Sequence, residues 1–599
     1  MSFGAQVLPS GTRFRLWAPD CERVTLVIED GADETALAMA PCAAGWFEHT
    51  VPGAGAGTRY RFEVKDGLRV PDPASRFNPD DVHSASEVID PAAFDWQDGT
   101  WQGRPWEEAV LYELHVGTFS PQGTYEGVRE RLDYLAGLGV TAIELMPVGD
   151  FPGARNWGYD GVLPFAPDSR YGRPEQLKAL IQAAHMRGMM VLLDVVYNHF
   201  GPEGNYLHAY ASPFFTARHH TPWGDAINFA GPSSREVREF FIHNALYWLE
   251  EYHLDGLRLD AVHAIADTSP RHLLSELAER VHAAMGRERQ VHLILENDAN
   301  EAAYLDGDHY VAQWNDDLHH ALHVLLTGET DGYYADYADD PIHHLGRCLA
   351  EGFAYQGEIS AYRGRSRRGQ PSAHLAPLAF VSFLQSHDQV GNRAFGERIG
   401  NLASADAVRA ATAVYLLAPG IPMLFMGEEF FARSPFLFFS DFGDGFKEAV
   451  TQGRLREFGR FRRFNDLSPQ AAIPDPNREQ TFLACKLDWA SLDEPGQAAW
   501  LAYYRELLRL RQEFIVPRLR GMAGHVGRFS VLARRALHPA WRLGDGKTLH
   551  LVANLSAEAV AATKPPGETF FSTSGSLEES LLRPWEVTWI LESRHERAV

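Results

Sequence analysis

The chain has 599 residues, of which 45% are hydrophobic and 22% charged, so one compact core is excluded and two to four domains are expected. Its formal net charge of −24 argues against nucleic acid or an anionic membrane as a partner, because either would be repelled. A neutral substrate is the better match to this charge.

The chain shows no targeting or anchoring signal. Residues 1–6 lack the basic and apolar regions of a secretory signal, and no apolar run is long enough to span a bilayer. The cysteines are scattered without metal-ligand spacing, at Cys21, Cys42, Cys348 and Cys485. We therefore expect buried free thiols in a protein of the reducing cytoplasm.

The first hundred residues are predicted to form β-structure. Short β-rich runs at 14–17, 24–28 and 60–64 are separated by turns that contain Gly and Pro, as at 52–55. We expect an N-terminal β-sandwich domain over residues 1–98.

From residue 109 the pattern changes to alternating strands and helices. Helices are predicted over 128–138, from Pro174 to Gly188, and after a capping box at Ser233 and Glu236. Eight apolar runs are predicted strands, at 110–115, 141–147, 189–196, 254–260, 292–296, 310–314, 378–384 and 421–426.

This order of elements predicts the fold class α/β. Eight strands that alternate with helices indicate a closed (β/α)₈ TIM barrel, which we place at residues 99–514 with loop insertions. A helix around 500–514 leads into a last β-rich segment. We expect a C-terminal all-β domain, a second β-sandwich, over residues 515–599.

Candidate catalytic and binding residues lie where apolar strands end abruptly in polar residues, at 194–199, 256–260, 293–298 and 386–389. A strand buried on both faces is a continuous apolar run, and the C-terminal ends of parallel barrel strands surround the substrate site. Barrel closure would therefore bring Asp260, Glu296 and Asp388 together at one mouth.

Three carboxyl groups at one mouth are suited to breaking a glycosidic bond. Arg258 and Asp260 share a strand face, and a neighbouring guanidinium keeps a carboxylate ionised, as a nucleophile requires. Glu296 ends an apolar strand, where partial desolvation would keep it protonated as an acid. Asp388, beside His387, could bind sugar hydroxyls and favour a distorted, oxocarbenium-like ring.

Each of these residues has a less specific interpretation when it is taken alone. A single acid is more often a helix cap or a loop residue, and His199 alone is more often structural. Because His199 occurs together with acids at the ends of several strands, we expect it to bind a sugar hydroxyl. The paired histidines at 219–220, 319–320 and 343–344 are predicted to lie on solvated faces, because adjacent helical histidines diverge and cannot share a metal.

The four segments resemble the four signature regions of the α-amylase superfamily, glycoside hydrolase family 13, in order and spacing along the whole barrel. The resemblance implies that Asp260 is the nucleophile, Glu296 the general acid/base and Asp388 the transition-state stabiliser. It also implies sugar contacts, by Tyr159 from the motif at 156–161 and by Arg258, His199 and His387. Both β-domains are similar to accessory domains of the family.

Three further segments, at 146–153, 312–324 and 435–442, resemble members of the family that release trehalose from a trehalose-capped maltooligosaccharide. This resemblance implies hydrolysis of the α-1,4 bond next to the terminal trehalose, with retention of configuration. We predict Trp223 and His263 as walls of the pocket on the trehalose side. Trp223 could equally be a packing residue.

Two other functions remain open. A glycogen-branching transferase would use the same three carboxyl groups, and a non-catalytic glucan-binding protein could share the barrel. No cofactor and no metal are expected. Asn198 matches a position that binds structural calcium in some amylases, but no acidic calcium loop accompanies it. The expected partner is an α-glucan, and the sequence does not predict the oligomeric state.

Overall fold

The computed structural model describes residues 3–221, 224–286, 288–307, 309–458, 473–575 and 580–593. Trp223, a predicted wall of the substrate pocket, lies outside these residues. Within them, no helix combines the length and the apolar character that crossing a bilayer requires.

The N-terminal region forms the predicted sandwich of two antiparallel sheets. Along the strand at 11–17 buried and partly exposed residues alternate, with Phe14 and Leu16 inside and Arg13 and Arg15 outside, the period expected of a strand with one buried face. One sheet has the order Gln6–Leu8, Gly11–Trp17, Trp46–Val51, Ala40–Pro41. The other has the order Asp33–Ala38, Thr25–Asp30, Arg59–Glu63, Arg69–Val70, and Ser86–Glu87 also pairs with its third strand.

The central region is the predicted closed barrel of eight parallel strands. Closure is made by strand one against strand eight, where Glu113 pairs with Phe425. The barrel strands, numbered one to eight, are Leu111–Leu114, Ala142–Leu145, Met190–Val195, Gly256–Leu259, His292–Leu295, Ala312–Trp314, Phe380–Ser382 and Ile421–Phe425. All eight predicted strands are confirmed. Each is shorter than predicted at one end or at both.

The helices follow the predicted sites, with two differences. The apolar run at 128–138 is broken into helices Tyr125–Arg129 and Leu132–Leu138, and the second ends at Gly139 with φ 105°, a conformation that glycine adopts without strain. The predicted capping box is wrong. Ser233 precedes the helix at φ 60° and its side chain makes no capping hydrogen bond, whereas a residue that caps a helix typically has an extended backbone.

The longer helices that surround the barrel are Pro174–His185, Ser234–Glu251, Leu273–Met285, Asp316–Thr327, Pro341–Glu351, Ala405–Leu417, Asp444–Phe458 and Pro495–Leu510. Shorter ones are Val116–Phe119, Leu207–Tyr210, His387–Gly391 and Glu479–Ala484. In the described residues, the loops of the barrel contain three two-stranded sheets. They pair Gly149–Asp150 with Leu163–Pro167, Phe215–Thr221 with Gly224–Ile227, and Glu358–Ser360 with Ser366–Arg368.

The C-terminal region is all-β, as predicted. Its five-stranded sheet has the order Gly527–Ala533, Ala536–Arg542, Thr548–Asn554, Val587–Glu592, Glu568–Ser572, and a small sheet pairs Val560–Ala561 with Leu581–Leu582. The large sheet packs on barrel helices. Trp541 and Trp589 lie inside this interface and donate indole hydrogen bonds to the carbonyls of Leu349 and Ala413.

Candidate active site

Seven of the predicted site residues meet in one cavity at the carboxyl ends of the barrel strands. The cavity has a volume of about 510 Å³ and is lined by residues that include Asp260, Glu296, Asp388, Tyr159, His199, His263 and His387. Asp260 and Glu296 directly follow strands four and five, and Asp388 lies in the short helix after strand seven. The predicted convergence of the three carboxyl groups is what the structure shows.

Arg258 lies directly beneath the carboxyl groups and bridges two of them. Its Nη1 donates to Asp260 Oδ1 at 2.9 Å and its Nη2 donates to Glu296 Oε2 at 3.1 Å. The side chain is 0% exposed, and its guanidinium carbon lies 4.3 Å from the centre of the Trp314 ring. Arg258 was expected to contact sugar, but this placement makes it an electrostatic link between carboxyl groups below the cavity surface.

Asp260 is surrounded by groups that favour its ionised form. Asn198 Nδ2 donates to its Oδ2 at 2.9 Å, and its other oxygen accepts from Arg258. Burial by itself would raise the pKa of Asp260, but the positive charge of Arg258, the neighbouring His199 ring and the hydrogen bonds from Asn198 and Arg258 lower it below its usual value. A carboxylate held ionised in this way matches the predicted nucleophile.

Glu296 experiences the opposite balance. Its Oε2 accepts from Arg258 and from the backbone N–H of Ala261 at 2.8 Å. Burial raises its pKa well above the usual value, and the nearby carboxyls of Asp260 and Asp388 raise it further against the effect of Arg258. Glu296 is therefore poised to carry a proton near neutral pH.

Asp388 and His387 form the opposite wall of the cavity. The side chain of Asp388 is 41% exposed, so it is open to a ligand, and Asn392 Nδ2 donates to it at 3.1 Å. His387 is buried, and its Nε2 lies 3.5 Å from Asp388 Oδ1. Burial would lower the pKa of His387, but the carboxylates of Glu113 and Asp388 raise it to about 9, so the ring is a cation at neutral pH.

Tyr159 and His199 border the same space. The Tyr159 ring stacks on His387 at a centroid distance of 5.1 Å and its hydroxyl donates to Asp194 Oδ2 at 2.6 Å. His199 contacts the Tyr159 carbonyl through Nε2 at 2.9 Å, and burial lowers its pKa. Both side chains are fixed at positions where they can contact a sugar ring.

Three residues without a predicted role hold this arrangement in place. Asp194, at the end of strand three, accepts from Arg258 Nη1 at 2.7 Å as well as from Tyr159. Asn198 orients Asp260, and Trp314 covers Arg258. Asp194 could have been recognised from its position at a strand end beside His199, but the contacts of Asn198 and Trp314 depend on barrel closure.

The far end of the cavity is formed by residues after strands four, five and six. His263 lies there, and its Nδ1 accepts from the backbone N–H of Asp298 at 3.3 Å. Asp316, His320 and Arg368 also line this end. The prediction that His319 and His320 are solvated is wrong. Both are buried, because their helix, Asp316–Thr327, is enclosed between the barrel and the segment around Tyr334.

The described residues contain no group of three or more His, Cys, Asp or Glu side chains placed to hold a metal ion. The amide of Asn198, which resembles a calcium-binding position, is engaged with Asp260 instead. All four cysteines are free, and Cys42 is exposed rather than buried as expected.

An ionised carboxylate and a protonated carboxyl group on one guanidinium can attack an anomeric carbon and protonate the leaving oxygen. A (β/α)₈ barrel that presents this site defines the glycoside hydrolases of the α-amylase superfamily. Family comparisons agree with this class. The alpha amylase catalytic domain matches residues 88–225, carbohydrate-binding module 48 (isoamylase N-terminal domain) matches 2–91, and the domain of unknown function DUF3459 matches 524–589.

Similar proteins define the family more narrowly. A malto-oligosyltrehalose trehalohydrolase of Deinococcus radiodurans is 44% identical over 85% of this chain and 83% of its own. One from Rhizobium sp. (strain M-11) is 38% identical over 96% of each chain. The crystal structure of a Salmonella typhimurium protein, 44% identical, superposes with a TM-score of 0.93 over 99% of this chain and 100% of its own. The chain belongs to the malto-oligosyltrehalose trehalohydrolase family.

Proposed function

We propose that this protein hydrolyses the α-1,4-glucosidic bond next to the terminal trehalose of a maltooligosyltrehalose and releases trehalose. The observation that carries the chemistry is the Arg258 bridge, which joins a carboxyl group of lowered pKa to one of raised pKa. The relatives named for this activity support the choice of substrate.

In the first step Asp260 attacks the anomeric carbon while Glu296 protonates the departing oxygen. A covalent glycosyl-enzyme forms, and trehalose is the leaving group. Arg258 keeps the nucleophile ionised without contacting the sugar. A pair of this kind stands about 5–5.5 Å apart, and anchoring of both carboxyl groups to one guanidinium supports such a short separation.

In the second step Glu296, now anionic, removes a proton from a water molecule that attacks the same carbon from the side the trehalose has left. The glucan is released with its configuration retained. Asp388 and His387 stabilise the distorted ring in both transition states, because a carboxylate and a cation there can bind adjacent hydroxyls more tightly as charge develops.

Trehalose would occupy the end of the cavity beside His263. Glu296 follows strand five, next to the strand that both Asp260 and His263 follow, so in this arrangement it can protonate the departing oxygen. Trp223, which lies outside the described residues, is kept as a proposed contact of the trehalose end.

Product analysis with matched substrates tests the function. A trehalose-capped maltooligosaccharide and an uncapped one of equal length are incubated with the enzyme, and products are separated by chromatography. We expect free trehalose from the capped glucan and much slower cleavage of the uncapped one. New α-1,6 branches would support the branching transferase instead, and no turnover of either substrate would support a binding protein.

A further inference from the structure

A carboxylate on strand one clamps the residue that precedes Asp388. Glu113 is buried in the barrel interior and both of its oxygens contact His387. Oε1 lies 2.5 Å from His387 Nδ1, and Oε2 accepts the backbone N–H of His387 at 2.9 Å. Strand one is thereby tied to the helix His387–Gly391, which follows strand seven.

This clamp fixes both the ring and the backbone of His387. Because Nδ1 is directed at Glu113, the other ring nitrogen, Nε2, must face the cavity, where it lies 3.5 Å from Asp388 Oδ1. His387 is also the first residue of the helix His387–Gly391, so holding its N–H sets the position of the next residue. Asp388 therefore depends on Glu113 for its place in the site.

A carboxylate is required for this arrangement. Two N–H donors converge on Glu113, and only an ionised carboxylate offers two acceptor oxygens, whereas an amide offers one acceptor and one donor. Charge is required as well. The titratable and charged groups around His387 are the carboxylates of Glu113, Asp194 and Asp388 and the guanidinium of Arg258, with the Tyr159 ring stacked on it. Glu144 and His115 also face it, but burial raises the pKa of Glu144 and lowers that of His115, which favours the neutral form of each.

We propose that Glu113 is a positioning residue of this active site, which holds His387 as a cation with Nε2 toward the sugar and, through the helix that His387 begins, holds Asp388 against the same ring. The proposal rests on the proposed glycosidase function. Glu113 does not itself line the cavity and acts only through His387, which lies in the helix after strand seven.

Glu144 provides a matched control. It pairs with Glu113 in the register of strands one and two and is equally buried, but neither of its carboxyl oxygens has a hydrogen-bond partner among the described residues. Burial raises its pKa well above the usual value, which favours the neutral form, and Gln has nearly the shape of that form. Glu113→Gln and Glu144→Gln are thus the same substitution on adjacent strands.

The test measures kcat and kcat/KM from about pH 6 to about pH 9 for the wild type, Glu113→Gln, Glu144→Gln, His387→Asn and the double variant Glu113→Gln/His387→Asn. We expect Glu113→Gln to lose about 10- to 100-fold in kcat/KM, the size of a lost charge-assisted hydrogen bond. The loss relative to the wild type should grow as the pH rises. Without the Glu113 carboxylate, His387 loses its proton at a lower pH than it does in the wild type. Glu144→Gln should stay close to the wild type at every pH.

The double variant should be no slower than His387→Asn alone, because Glu113 acts only through His387. A double variant whose loss in kcat/KM is the product of the two single losses would overturn the proposal. A Glu113→Gln variant with the same activity as Glu144→Gln would overturn it too. If Glu113→Gln does not fold, Glu113→Asp keeps the charge but withdraws the oxygens. Glu113→Asp should lose activity while keeping the wild-type pH profile. Wild-type activity of Glu113→Asp would also overturn the proposal.

Wild-type enzyme that cleaves uncapped glucan but releases no trehalose would contradict the proposed substrate and not the role of Glu113. The same variants are then compared on the uncapped glucan.

Discussion

At the scale of single residues, two carboxyl groups on one guanidinium have opposite shifts in pKa. Asp260 is buried and Glu296 is partly buried, and both accept from Arg258. The difference lies in the other partners. Asp260 accepts a hydrogen bond from the Asn198 amide and lies near the His199 ring, and both lower its pKa. Glu296 lies near the negative charges of Asp260 and Asp388, which raise its pKa. Environment, and not residue type, separates the proposed nucleophile from the proposed acid.

Replacing the nucleophile should abolish turnover without unfolding the protein. Asp260→Asn keeps the size of the side chain but removes its charge, and we expect kcat to fall by about 10⁴-fold or more. Initial rates of trehalose release measure the loss, and near-UV circular dichroism checks the fold. Activity close to that of the wild type would show that another residue attacks the sugar.

The opposite pKa shifts predict a bell-shaped pH profile for kcat/KM. Activity should fall as the pH drops through the lowered pKa of Asp260, because a protonated carboxyl is no nucleophile. It should also fall as the pH rises through the raised pKa of Glu296, which then has no proton to give. Rates measured over the pH range of the folded enzyme test this, and a flat profile through neutral pH would contradict the pairing.

At the scale of elements, the spacing between strands four and five sets the distance between the two carboxyl groups. Gly256 begins strand four opposite His292 of strand five. A Cβ at Gly256 would lie 2.3 Å from the carbonyl oxygen of His292, and that oxygen cannot move unless the strands separate. Glycine at this position lets the strands that end in Asp260 and Glu296 approach closely.

Gly256→Ala should therefore lower both stability and activity. Overpacking of this kind costs about 1–3 kcal/mol, and a displacement of about 1 Å in a catalytic group can cost about 10²-fold in rate. Thermal unfolding and kcat measure the two effects. Gly137→Ala is the control, because nothing lies within 4 Å of the added Cβ, and it should leave kcat unchanged. Equal behaviour of the two variants would argue against this role of Gly256.

At the scale of the whole molecule, the segment between the N-terminal sandwich and the barrel is held by a buried charged histidine. His185, the last residue of the helix Pro174–His185, contacts Asp98 Oδ2 at 2.8 Å and Asp255 Oδ2 at 3.0 Å through its two ring nitrogens. Both nitrogens can donate only when the ring is protonated. Burial opposes protonation, but the two carboxylates raise the pKa of His185 above its usual value.

This clamp makes stability depend on pH. A raised folded-state pKa adds stability that is fully present below the unfolded value of about 6.5 and is lost as the pH rises through the folded value. His185→Gln should therefore lower the unfolding temperature most near about pH 6 and less at higher pH. His253 also contacts Asp98, but burial lowers its pKa. His253→Gln should show no such decline above neutral pH, and parallel curves for both variants would contradict the clamp.

Much of the fold follows from local pattern. The continuous apolar strands, the helical spacing between them and the alternation along Gly11–Trp17 are each visible within a few residues, because side-chain period follows from backbone geometry. The capping box at Ser233 failed because the conformation of one residue depends on how the preceding loop approaches. The burial of His319 and His320 was missed because the element that covers their helix lies later in the chain.

The sequence by itself determined the barrel, its flanking β-domains and the identity of the three carboxyl groups, because these depend on periodicity and on the ends of strands. Only the tertiary structure decided that Arg258 lies beneath two carboxyl groups instead of against the sugar, and that Glu113 reaches His387 across 274 positions of the chain. Contacts of that kind arise when barrel closure joins strands one and eight, and no local pattern encodes them.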